Sequence, residues 1–186
     1  MLPNIRSEIN PIRLVITHKP GCEHQYITPL NLKEEIISKS GPITNPNYLL
    51  FDDLIYVDKA LKEHNELYDI LHHFTDGNCH EFTDLLSIVL KNKKIKNNLI
   101  KECILLENIL YNNNINKKIL CDLATADLIK VLLSGYNNKD QIFTHPIPNL
   151  IFTRDIAVCI GSTVLITWSK KDVRKIKTIK KKFRMW

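Results

Sequence analysis

Apolar positions along this chain fall into three regimes, and each predicts a different kind of element. Near the start, Arg13-Leu14-Val15-Ile16-Thr17 is a short β-branched run closed by His18-Lys19-Pro20-Gly21, which reads as a buried strand and a turn. Thr28 to Leu32 reads as a second brief strand or the start of a helix. Ser38 to Asn47, rich in Ser, Gly, Pro and Asn, reads as a loop, and Tyr48 to Phe51 is a further apolar run ended by Asp52-Asp53.

The period then lengthens. Over Val57 to Phe74, Ala60, Leu61, Leu67, Tyr68 and Leu71 lie close to i, i+3, i+4, i+7 spacing, which predicts an amphipathic helix stopped at Gly77. Glu81 to Val89 begins a second helical stretch around Leu85, Leu86 and Val89, and the chain reads as helical to about Tyr136. Breaks are expected at Asn92-Lys94, Asn112-Asn116 and Asn137-Lys139, and Ser134-Gly135 should close the helix containing Leu128-Ile129 and Val131-Leu132-Leu133. Past Pro146 and Pro148 the strand pattern returns, at Asn149 to Phe152 and in a hairpin over Ile156 to Ile166 turning at Gly161-Ser162. Strands, helical block, strands: the order predicts an α/β domain carrying an all-helical insertion.

Composition narrows the class. The 186 residues are 44% hydrophobic and 25% charged, enough for a packed core and unlike disordered or disulfide-scaffold chains. No run of about 18 apolar residues occurs and Met1 to Asn10 has no apolar signal core, so a cytoplasmic protein without a membrane span is expected. The net charge of +6 is concentrated at one end: Lys170 to Trp186 holds nine Lys or Arg and one Asp, or +8, leaving −2 on the other 169 residues. A basic stripe of the kind that binds nucleic acid is therefore not expected on the body. The five cysteines, Cys22, Cys79, Cys103, Cys121 and Cys159, are odd in number and form no CxxC, so free thiols are expected and no metal site.

Three clusters could carry chemistry. Asp52-Asp53 follows an apolar run, where carboxylates orient substrates or simply cap a turn. Glu63-His64 lies in the first helix, where a packed or surface role competes with a catalytic one. Pro148-Asn149-Leu150-Ile151-Phe152-Thr153-Arg154-Asp155 gathers an amide, a ring, a guanidinium and a carboxylate on one short segment. In an extended segment residues two apart share a face, so Asn149 and Asp155 are expected to point the same way.

Taken together these segments resemble the arginine deiminases, of the guanidino-group-modifying superfamily. The resemblance rests on Glu8-Ile9, Arg13-Leu14-Val15 and His18-Lys19-Pro20-Gly21, then on Leu49-Leu50-Phe51-Asp52-Asp53, Glu63-His64, Leu128 to Gly135, Pro146 to Asp155 and Arg174, in that order. It implies the N-terminal part of a five-bladed α/β propeller, the pentein fold, with an inserted all-helical subdomain. The implied divisions are 1–83 for the first propeller module, 84–141 for the helical insertion, 142–178 for the start of the second module and 179–186 for a basic tail expected to be disordered.

The family's reaction is hydrolysis of L-arginine to L-citrulline and ammonia, without metal or organic cofactor. The resemblance assigns Asp155 as a guanidinium clamp, with Leu50, Asn149, Phe152 and Arg174 as substrate-binding residues. The family's nucleophilic cysteine and acid/base histidine have no counterpart in these 186 residues, and Cys159 does not fall at the nucleophile's place. The segment after Arg174 departs from the family's Arg-x-x-Glu-Thr. The expectation is thus a truncated or frameshifted member, inactive alone, whose intact relatives can form homo-oligomers. The alternative is a non-catalytic module that binds arginine or an acidic partner through the retained half-site or the basic tail.

Overall fold

A computed structural model describes residues 5–7, 9–29, 35–44 and 54–166, with the backbone alone at 36–38, 44 and 155–156. The chain is mixed α/β. Strand β1 (Val15–Thr17) pairs in parallel with β4 (Cys79–Glu81), in the register Val15 with Cys79, Ile16 with His80 and Thr17 with Glu81. Parallel strands need a crossover, and here it contains helix α1 (Val57–Phe74). That helix has the bounds its periodicity predicts. Its inner face touches β4, where the Tyr68 hydroxyl donates to the Cys79 carbonyl at 3.0 Å.

The core lies in the helical block that follows: α2 (Phe82–Leu90), α3 (Lys93–Tyr111), α4 (Lys117–Cys121) and α5 (Thr125–Ser134). Phe82, Leu86, Leu90, Leu99, Ile100, Cys103, Leu120, Leu128 and Leu132 are buried there in one cluster. The predicted breaks fall where expected, for a local reason. Asn92 caps α3 by accepting from the Lys94 and Ile95 amides at 3.0 and 3.2 Å, and Asn116 caps α4 the same way. Asn112 ends α3 in the left-handed region at φ 53°. Asn137-Lys139 forms part of a small hairpin of β5 (Tyr136–Asn137) and β6 (Asp140–Gln141).

Two expectations are corrected. The segment read as a loop from Ser38 contains an antiparallel hairpin, β2 (Glu35–Ser38) with β3 (Gly41–Thr44), turned at Lys39-Ser40. Gly41 at φ 110° starts the return strand, so the residue that looked like a breaker is part of the turn. Asn149 to Phe152, read as strand, is instead 3-10 helix: one turn spans Pro148–Ile151 and another Thr153–Ile156. Pro148 at the first position presets the helical φ, which an apolar tally does not register. The last hairpin forms as expected, β7 (Ala157–Ile160) with β8 (Thr163–Ile166) around Gly161-Ser162. Among the described residues no helix is long and apolar enough to cross a membrane.

Candidate functional site

Where β1 ends, the chain turns through His18 to Gly21 into a 3-10 turn at Cys22–His24, and two buried carboxylates hold this exit. Glu81 stands beside Thr17 in the parallel ladder. Its Oε1 accepts from the Thr17 hydroxyl at 2.8 Å and its Oε2 from the Lys19 amide at 3.0 Å. Glu23, only 1% exposed, accepts at Oε1 from the Gly21 amide and faces His18 Nε2, both at 3.0 Å. His24 Nε2 lies 3.6 Å from the same oxygen, and His64 Nε2 of α1 lies 3.6 Å from Glu81 Oε1. The His18 ring stands edge-on to Phe82 at 5.8 Å. Burial holds the His64 imidazole below its ordinary pKa, with His18 and Lys19 adding to the effect and Glu81 opposing it.

Beside this network is an open, mostly apolar cavity of about 270 Å³ lined by Pro20, Ile55, Ala60, Glu63, His64, Leu67 and Ile151. The β1 exit, the flank of α1 and the 3-10 segment after Pro148 therefore border one space. Asn149 is buried at 3% exposure, and Leu150 at 2% plugs the segment into the helical core. Phe152 is 44% exposed.

This arrangement bears on the sequence expectations one residue at a time. The shared face argued for Asn149 and Asp155 from strand alternation does not apply, because the segment is 3-10 helix broken at Phe152. Asp155 has its backbone in the second turn, and its side chain lies outside the described residues. Leu50, Arg174, Asp52-Asp53 and the tail 179–186 also lie outside them. Of the predicted site residues, Asn149 and Phe152 are thus the two whose surroundings are described. The buried Glu23 and Glu81 were missed by sequence reasoning, although Glu81 was read only as a helix start. The one usable signal was the density of His, Glu and Thr around Pro20-Gly21.

The Cys22 and Cys79 thiols do not sit in a nucleophile's environment. Burial, reinforced by the Glu23 charge, pushes the Cys22 thiol up to about 11, and burial also raises Cys79. No disulfide links any of the five cysteines, all of which lie among the described residues. Among the described residues no group of three or more His, Cys, Asp or Glu is placed to hold a metal ion.

Comparison with known proteins gives a consistent result. A family model described as arginine deiminase matches residues 47–183. Arginine deiminase of Borrelia duttonii (strain Ly) is 29% identical over 199 aligned residues, covering 95% of this chain and 44% of the relative. Arginine deiminase of Metamycoplasma hominis is 29% identical over 193, covering 97% of this chain and 43% of the relative. That of Borreliella burgdorferi (strain ZS7) is 29% identical over 195, with 95% and 44% covered. The chain thus spans less than half the length of these curated relatives.

Proposed function

Because the chain belongs to the arginine deiminase family, we propose that it is the part of an arginine deiminase that grips L-arginine for hydrolysis to L-citrulline and ammonia. The supporting observation is the family match over 47–183, which includes every residue assigned to the substrate. The same match does not favour a non-catalytic module.

A guanidinium is a delocalised cation and a poor electrophile, so its carbon becomes attackable only when held in fixed geometry. In this proposal Asp155 accepts two parallel N–H bonds from it, a charge-assisted and planar contact. Arg174 pairs with the substrate carboxylate, Asn149 offers its amide to the same end, and the Leu50 carbonyl accepts from the α-amino group. The partly exposed Phe152 lies against the guanidinium or its stem, adding a cation–π contribution of about 0.5–2 kcal/mol. Thiolate attack, loss of ammonia and hydrolysis of the covalent intermediate need a cysteine and an acid/base histidine. The motifs matched in these 186 residues supply neither, so the chain is proposed to bind without turning over. The propeller reading goes with this: 1–83 and 142–178 as propeller parts, 84–141 as the insertion, in a cytoplasmic enzyme needing no cofactor.

Titration of the chain with L-arginine tests the proposal. L-Arginine should perturb the resonances of Asn149 and Phe152. L-Citrulline, which keeps the amino-acid end but lacks the guanidinium, should do so only at higher concentration, and Asp155→Ala should weaken arginine binding by about 2 kcal/mol, roughly thirtyfold. Citrulline should not form above background. Silence at Asn149 and Phe152, or turnover abolished by Cys159→Ala, would overturn the reading.

A further inference from the structure

We infer that Glu107, on the last turn of α3, is a positioning residue that fixes the start of the Pro148–Ile156 segment and thereby holds Asn149 in place. The inference rests on the substrate-side reading of that segment given above.

Glu107 is fully buried, at 0% exposure, inside the helical block. A carboxylate there is costly unless donors surround it. Its donors come from Thr144 and from Asn113 just past the end of α3. Oε2 accepts from the Thr144 amide at 3.0 Å, the Thr144 hydroxyl at 2.7 Å and the Asn113 side-chain amide at 3.1 Å. Asn113 donates through the same Nδ2 to the Ile142 carbonyl at 3.1 Å. It can reach because Asn112 turns left-handed and the Asn113 amide returns to the Glu107 carbonyl at 3.3 Å. The other carboxylate oxygen, Oε1, is buried with no hydrogen-bond partner among the described residues. A half-used buried carboxylate adds little stability over an apolar side chain, so its effect is on geometry.

The far edge of the same segment is held by α5. The Gly135 carbonyl accepts from the Ile142 and Phe143 amides at 2.8 and 2.9 Å, and the Leu133 carbonyl accepts from the Ile147 amide at 2.9 Å. Phe143, Ile147 and Leu150 are buried in the helical core. Residues 142–147 are thus pinned from α3 on one side and α5 on the other, and Asn149 follows two residues later. Of these ties, those from α5 are backbone bonds, whereas the Glu107 carboxylate holds Thr144 through a side chain that a substitution can remove.

The test uses the ¹⁵N-labelled 186-residue chain with Glu107→Leu, Glu107→Gln and Thr144→Val. Glu107→Leu should speed amide exchange at Thr144 and Ile147 by about tenfold or more relative to Leu132 in α5, and should move the Asn149 side-chain amide resonances. Glu107→Gln, which keeps a carbonyl oxygen for Thr144, should restore most of both. Thr144→Val should reproduce the local change with the carboxylate left in place, and it decides the question if Glu107→Leu does not fold. Exchange raised evenly through α2 to α5 with Asn149 unmoved, or no change at all, would overturn the inference. L-Arginine titration of the unsubstituted chain is read separately. Silence there with Asn149 displaced in the variants defeats the substrate reading alone, and a response there with Asn149 unmoved in the variants defeats this inference alone.

Discussion

His145, between Thr144 and Pro146, is 6% exposed and packs edge-on to Tyr111 at 5.1 Å. Burial pulls its imidazole down to about 4 from the ordinary 6.5, since the charged form has no water to solvate it. Between those values the unfolded chain binds a proton that the folded chain refuses. Stability from this group is therefore complete above pH 6.5 and is lost as pH falls toward 4, about 3 kcal/mol over the whole window. His64, also lowered by burial, acts with the same sign below pH 6.5. His145→Gln should flatten the fall in urea stability between pH 7 and pH 4.5 without changing its direction, because His64 still titrates with the same sign. An unchanged slope in the variant would show that His145 already charges freely in the folded state.

At the scale of elements, the helix ends are set by single residues, and their loss should be measurable. Asn92→Ala removes the acceptor of two orphan amides at the start of α3 and should cost about 1 kcal/mol in chemical unfolding. α1, whose leading residue Tyr56 makes no side-chain cap, should be insensitive to Tyr56→Ala. Gly135→Ala should cost more than Asn92→Ala. Gly135 sits at φ 84°, and an added Cβ would lie 3.0 Å from the Phe143 carbonyl oxygen that belongs to the segment leading to Asn149. These elements were legible in the sequence because helical periodicity and Asn or Gly ends are local signals. β4 was not, since Cys-His-Glu has no strand pattern and forms by pairing with a strand 64 residues earlier. The Pro148–Ile151 turn was misread because an apolar run says nothing of backbone φ. Nothing in the local sequence marks Glu23, Glu81 and Glu107 as buried. Glu81 accepts from donors 62 and 64 residues away and Glu107 from Thr144, 37 residues away, while Glu23 meets Gly21 and His18 in a turn whose burial no local pattern announces.

At the scale of the molecule, α1 carries two apolar faces and the described structure uses one. Val57, Ala60, Leu61, His64, Tyr68 and Leu71 are at least half-buried toward β4, yet no residue of this helix is fully buried. Tyr56, Leu67, Ile70 and Phe74 recur at helical spacing about a quarter turn away, and they are 73, 50, 54 and 74% exposed. Leu67 also borders the cavity beside Ile151, so this stripe continues the rim of the candidate site. An exposed apolar stripe such as Leu67, Ile70 and Phe74 favours association with another surface. In the relatives, more than half of the sequence lies beyond the part this chain matches. For the 186-residue chain alone the expected result is concentration-dependent self-association. Ile70→Lys with Phe74→Lys should raise the concentration at which light scattering appears, while the melting temperature stays within about 1 °C because neither side chain is part of the core. A large loss of stability in the double variant would show that this face is packed in solution. Scattering that is unchanged would place the sticky surface elsewhere, with Val158, Ile160 and Leu165 on the β7–β8 hairpin as the next residues to replace.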